Sequence, residues 1–300
     1  FQIPSHFFAT VYRRSNGFFS FSEAFGQNGR LQSSYTWFRV LTKMTARDAS
    51  SSYTWHEMTF CSWWVSDRCT VLCTGASSLF RGLLKDALDQ TGETMPPFEP
   101  YSSHVPLIEA IVGMQDSSVW SVRDIVRGIE KANCGSLHFS MMHEAARHAI
   151  HCFETLSVTV ATVEALQEQT VHLASKNKQM SEPDVGVSLQ LRARMDLQVR
   201  MLRNLLLRSQ SNKERLQNEI ALAYNVIAQQ DSQVMKRLGE AARLDSGAMR
   251  TIAVVTMAFL PPIFVSAIFS MSFFNYTPEP GRPGWSVSGK FSVYWVCTVP

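Results

Sequence analysis

The residues best placed to do chemistry lie between Asp231 and Ser272. Asp231 and Asp245 stand fourteen positions apart, which puts both on nearly one face of a helix at about 3.5 residues per turn. A symmetric oligomer would gather each acid into a ring of carboxylates, which could bind or gate cations if ions pass. Just beyond them, Met249, Ile252, Thr256, Phe259, Ile263, Ser266 and Ser270 recur at alternating spacings of three and four. That face carries hydroxyls among apolar side chains and fits a narrow pore with a hydrophobic constriction. Ordinary helix packing uses the same small hydroxyl residues.

Other constellations do not assemble. His143, Glu144 and His148 form HExxxH rather than HExxH, so the second His turns about 100° away from the shared helical face a zinc protease needs. No Gly-rich phosphate loop and no Ser, His and Asp set stands out, so neither an enzyme nor an organic cofactor is expected. The six cysteines make no CxxC pair and read as free thiols. A net charge of +3 without a basic run argues against a nucleic-acid partner.

The elements that would position these residues follow from hydropathy and period. Residues 251–274 carry no charge and match the roughly 20 apolar residues that cross a bilayer. Upstream, 187–250 reads as a stalk helix with no proline. One heptad series there is Val199, Leu206, Lys213, Ile220, Ile227 and Val234, and the other is Leu202, Ser209, Leu216, Ala223 and Gln230. So long a stripe calls for symmetry mates, and its polar members suggest a wet interior. Residues 137–186 form a helical arm with six acids and three bases, complementary to the basic stalk, and Ser181 to Gly186 reads as the turn between them. Residues 1–136 form a mixed body. Its expected strands are 37–44, 54–65 and 69–74, with a helix over 77–88, a Pro-rich loop over 95–106 and a helix capped at Ser117 or Ser118.

Lys236, Arg237, Arg243 and Arg250 precede the span, while only Arg282 and Lys290 follow it. The positive-inside rule therefore places the large body on the cytoplasmic (or matrix) side and the loop 275–290 outside. The chain opens on Phe1, and 291–300 reads as the start of a second, truncated transmembrane helix. The fold class expected is an α+β cytoplasmic domain, a long stalk helix and a two-span membrane hairpin.

The stretch from Asn212 to Phe274, including Phe259-Leu260-Pro261, resembles the CorA family of divalent-cation channels and is most similar to CorA-like proteins of fungi. That resemblance implies a homopentamer with the first spans around the pore. It also implies a Gly-Met-Asn motif holding hydrated Mg2+ at the mouth. The aligned positions here are Ser270, Met271 and Ser272, so only Met271 is kept. Glu279 falls where the family's outer loop carries an acid that attracts cations. The departure at Ser270 and Ser272 leaves open a second function, a membrane-anchored scaffold or interaction protein that does not transport.

Overall fold

The structure, a computed structural model, describes residues 3–27, 30–45, 52–65, 68–91, 99–131, 139–176, 182–277 and 284–298. The chain divides into two compact units, Phe1–Val226 and Ile227–Pro300.

The first unit opens with helix α1 (Ser5–Val11), followed by an antiparallel meander of β1 (Gly17–Phe25), β2 (Leu31–Thr45), β3 (Tyr53–Val65) and β4 (Arg68–Thr74), paired in chain order. Strands β2 to β4 cover the segments expected from β-branched and aromatic content. Sequence reasoning missed α1 and β1, although Phe19, Phe21 and Phe25 already show the period of two that marks a strand. Adjacent residues on β2 go to opposite faces. Phe38 stacks on Phe60 across the ladder with ring centroids 4.7 Å apart and joins the main core. Trp37, opposite Cys61, turns the other way and packs with Phe7 of α1.

Helices cover the main-core face. These are α2 (Ser78–Thr91), α3 (His104–Lys131), α4 (Phe139–Lys176) and the first part of α5 (Glu182–Ser270). Helix α4 runs so close to β1 that a Cβ on Gly17 would stand 2.8 Å from Val158. At the end of β4, Gly75 takes φ of 74°, where a side chain would collide with the Glu57 carbonyl.

Three sequence expectations are overturned. Helix α3 begins at His104, inside the stretch read as a Pro-rich loop, because Pro106 occupies the first turn, where a missing N–H costs nothing. Ser118 is therefore not a cap. It lies mid-helix, buried, and its hydroxyl donates to the Lys43 carbonyl at 2.6 Å. In the same way, residues 182–186 are helical rather than a turn, since Pro183 falls in the first turn of α5.

The fourth correction concerns the stalk. From Leu191 to Ala223 its stripe belongs to the chain's own core. Leu202, Ser209, Leu216 and Ala223 of one expected series are all buried, as is Val199 of the other. Its partners are α3 and α4. Arg203 pairs with Glu164 at 2.7 Å, Gln167 donates to Asp196, and Lys213 lies 4.3 Å from the centre of the Phe153 ring. Contacts step down α4 as they step up α5, so the two helices are antiparallel. Arg215 adds an ion pair to Glu130 of α3. Two buried polar residues of this stretch find partners within the protein. Ser209 donates to Cys152 Sγ at 3.7 Å, and Asn212 donates to the Val119 carbonyl at 3.3 Å.

Candidate membrane span and pore face

Within the second unit, α5 continues to Ser270 and every residue from Ile227 to Ala267 is exposed. Among the described residues, two helices are long and apolar enough to cross a membrane. One is α4, whose apolar stretch is half buried in the first unit and is accounted for as a core helix. The other is α5, whose apolar stretch is wholly bare. Exposed Ile252, Val254, Met257, Phe259, Leu260, Ile263 and Val265 would cost free energy in water, at about 25 cal/mol for each Å2 of apolar surface.

The helix places the expected residues in a definite relation. Asp231, Leu238, Asp245, Ile252, Phe259 and Ser266 follow one another at intervals of seven. They form one line that slips by about 20° per step. Met249, Thr256, Ile263 and Ser270 run beside it, on the face one turn away. Ile227, Val234, Ala241 and Ala248 complete an a/d seam with the acids, and their side chains shrink toward the apolar segment. On the opposite side, Lys236, Arg243 and Arg250 also stand seven apart. Glu240 lies one turn from both Lys236 and Arg243, so the basic face carries an acid as well.

The hydroxyls of the stripe are not idle. Thr256 donates to the Ile252 carbonyl at 2.7 Å and Ser266 to the Ile263 carbonyl at 2.9 Å. Each keeps its lone pairs as acceptors but spends its proton on its own helix. Helix α5 continues past Pro261 and Pro262. A proline has no N–H, so the carbonyls of Met257 and Ala258 lack their i+4 donors.

The helix ends at Ser270, four residues short of the span expected from hydropathy. Met271 and Ser272 lie in the turn that follows, so the three aligned motif positions straddle a helix terminus. The apolar residues Phe273 and Phe274 leave the helix because Phe274 starts strand β5 (Phe274–Thr277), which pairs antiparallel with β6 (Gly284–Val287). The region expected as an outer loop therefore contains a two-stranded sheet. Glu279 lies outside the described residues. Helix α6 (Phe291–Thr298) follows the hairpin.

Among the described residues, no group of three or more His, Cys, Asp or Glu side chains stands together as a metal-ligand set. Asp231 and Asp245 are separated along the helix by about 21 Å at 1.5 Å per residue, so one chain cannot bring them to a single ion. The HExxxH residues part company too. Glu144 pairs with Arg147 at 2.8 Å, whereas His148 is buried against Tyr53.

A polar cluster in the first unit went unread in the sequence. Lys43, 1% exposed, sends its ammonium over the rings of Tyr53 and Trp55, at 4.3 and 5.2 Å from their centres. Burial lowers its pKa, and Arg147 lowers it further. His104 is fully buried, with Nε2 2.7 Å from Thr36 Oγ1, and burial pushes its pKa down to about 4. Burial does the same to His148, also to about 4, with help from Lys43. No local spacing announces the Lys43 cluster, whose members come from β2, β3 and α4, nor His104 of α3, which is buried separately beside Thr36 and Ser62.

No protein-family model matches the chain. The full-length CmaX protein superposes with a TM-score of 0.47 over 96% of this chain and 75% of its own, at 14% identity. The ZntB cytoplasmic domain from Vibrio parahaemolyticus RIMD 2210633 gives a TM-score of 0.39 over 73% of this chain and 80% of its own, at 10% identity. Neither likeness reaches the level at which a shared fold follows. In sequence the chain is similar to the Notoamide biosynthesis cluster protein M' of Aspergillus versicolor, 28% identical over 287 residues that take in 89% of this chain and 60% of that relative.

Proposed function

We propose that this chain is a CorA-like integral membrane protein whose α5 helices line a homo-oligomeric pore for Mg2+ or another divalent cation. The observation that carries the reading is the bare segment of α5, exposed throughout from Ile227 to Ala267 and uncharged beyond Arg250. A soluble protein does not leave some 20 consecutive apolar residues in water. The a/d seam of Ile227, Asp231, Val234, Leu238, Ala241 and Asp245 supports assembly around a common axis, with a pentamer as the proposed state. Met249, Ile252, Thr256, Phe259, Ile263, Ser266 and Ser270 then face the pore. Asp231 and Asp245 form carboxylate rings on the cytoplasmic (or matrix) side, and Glu279 is the acid proposed to attract cations. Residues 291–300 begin a second span.

A second reading is favoured by one observation. The mouth offers Ser270 and Ser272. A mouth with no Asn carbonyl to accept from the waters of a hydrated ion fits a membrane-anchored scaffold that does not conduct.

Liposomes that contain the full chain and a Mg2+-sensitive dye separate the two. The channel reading expects Mg2+ entry that Phe259→Trp suppresses at the constriction. A chain that stays in the bilayer through an alkaline wash yet passes no divalent ion leaves the scaffold.

A further inference from the structure

We propose that the β5–β6 hairpin is an interfacial membrane anchor, with its aromatic face set in the headgroup boundary of the leaflet far from Arg250. The inference deepens the membrane reading above and rests on it.

Strand pairing sorts the hairpin into two faces. Tyr276 stands opposite Trp285 and Phe274 opposite Val287, whereas Asn275 stands opposite Ser286 and Thr277 opposite Gly284. Alternate residues of a strand point to opposite sides, so Phe274, Tyr276, Trp285 and Val287 make one face and the small polar residues make the other. The apolar face is tied to the helix end. Phe269 lies 5.1 Å from Phe274 and 6.0 Å from Trp285 between ring centroids, and Phe274 lies 5.0 Å from Phe291 of α6. Even so, Tyr276 is 51% exposed and Trp285 63% exposed. The ring pair Tyr276 and Trp285, 5.1 Å apart, is thus held in place yet uncovered.

Length identifies what covers it. Twenty residues separate Arg250, the last charge before the span, from Ser270, the last helical residue. At 1.5 Å per residue that is about 30 Å, the thickness of a bilayer's hydrocarbon core. With Arg250 in one headgroup layer, Ser270 and the hairpin reach the other. Depth is bounded from both sides. Farther in, the outer amides of a two-stranded sheet would find no hydrogen-bond partner in hydrocarbon. Farther out, the four apolar side chains would stand in water. At the boundary, water reaches the backbone while Tyr and Trp rings lie flat among acyl chains and turn their polar atoms outward, which is where these residues concentrate.

The test reconstitutes the full chain in phosphatidylcholine vesicles that carry nitroxide lipids labelled near the headgroup or near the bilayer centre. Flotation after an alkaline wash first shows whether the chain is embedded. Subtracting the signal of Trp285→Phe isolates Trp285 from the other tryptophans, and Trp285→Tyr serves if the Phe variant does not insert. The expected result is stronger quenching by the headgroup-level label than by the central one, with little quenching by aqueous iodide. An embedded chain whose Trp285 is quenched mainly by iodide overturns the anchor alone. So does one quenched by neither lipid label nor iodide, which would place the hairpin between copies of the chain. A chain that washes off the vesicles overturns the membrane reading and the anchor together.

Discussion

Lys43 Nζ donates to His151 Nδ1 across 2.9 Å, which links β2 to α4 inside the first unit. His148, one turn before His151 and 3% exposed, finds no hydrogen-bond partner for either ring nitrogen. Glu144, Glu154 and Arg147 are the other charged groups acting on this cluster. Burial lowers the pKa of Lys43, His148 and His151 alike.

These shifts set the acid limit of the folded body. A histidine held near 4 in the fold and free to titrate at about 6.5 when unfolded takes up its proton first in the unfolded chain. Its stabilising contribution is complete above pH about 6.5 and drains away as pH falls from there through about 4. For His104 the loss is on the order of 3 kcal/mol across that window. Thermal unfolding of the full chain in detergent, followed by tryptophan fluorescence, should show a midpoint that falls steeply between pH 6.5 and 4.5. A flat profile would contradict this.

His148→Phe should make the body more stable, because it removes two buried nitrogens without partners and keeps a ring against Tyr53. The expected gain is about 1–3 kcal/mol, the usual cost of an unsatisfied buried polar group. It should grow as pH falls, since the phenyl ring cannot be protonated. Unfolding midpoints at pH 7 and pH 5 check both statements.

The two halves of α5 should respond differently to truncation. Leu202→Ala and Leu216→Ala should each cost about 2–5 kcal/mol, because both side chains are buried in the body's own core. Val234→Ala and Leu238→Ala should leave the unfolding of the body unchanged and instead weaken self-association. Native mass in detergent reads the second effect. A clean monomer in the wild type would remove the seam's role.

How much of this was open to sequence reasoning differs from one element to the next. The series Leu202, Ser209, Leu216 and Ala223 was legible as a buried stripe, because a period of seven reports that a helix face is covered. It does not report by what. The answer lies with Glu164 and Phe153, some forty to sixty positions away along the chain, which no local pattern encodes. Pro106 and Pro183 misled in one direction. Proline punctuates a sequence, yet in the first turn of a helix it begins structure instead of breaking it. The uncharged run was legible in full, whereas its end was not. Hydropathy cannot tell Phe269 in a helix from Phe274 in a strand. His104, Gln115 and Asn212 are buried polar residues whose partners come from other elements, and polarity alone marks such residues as surface.

Divalent ions should act on the acids of the seam if the pore reading is right. Mg2+ should raise the thermal stability of the oligomer, and Asp231→Asn with Asp245→Asn should abolish that rise while making the Mg2+-free oligomer more stable, because the like charges of each ring are gone. An equal Mg2+ effect in the double variant would place cation binding elsewhere.

The outer mouth should be improvable. Ser270→Gly with Ser272→Asn supplies a backbone free of Cβ and a longer carbonyl acceptor at each copy, and both favour capture of a hydrated ion. Mg2+ uptake into liposomes, or its preference over Na+, should increase. Unchanged uptake would mean that the serine hydroxyls already suffice.

The adjacent prolines of α5 give the apolar segment a polar spot that belongs to no side chain. The Met257 and Ala258 oxygens are main-chain atoms, present whatever residues stand at those two positions. Replacing either residue, or any neighbour on the stripe, therefore leaves the spot intact, and an alanine scan across the segment would pass over it unless it reached the prolines. Only Pro261→Ala or Pro262→Ala returns an amide to cap a lone oxygen. If dehydrated ions, water or a passing hydroxyl rest midway along this helix, those two substitutions four residues away would reveal it.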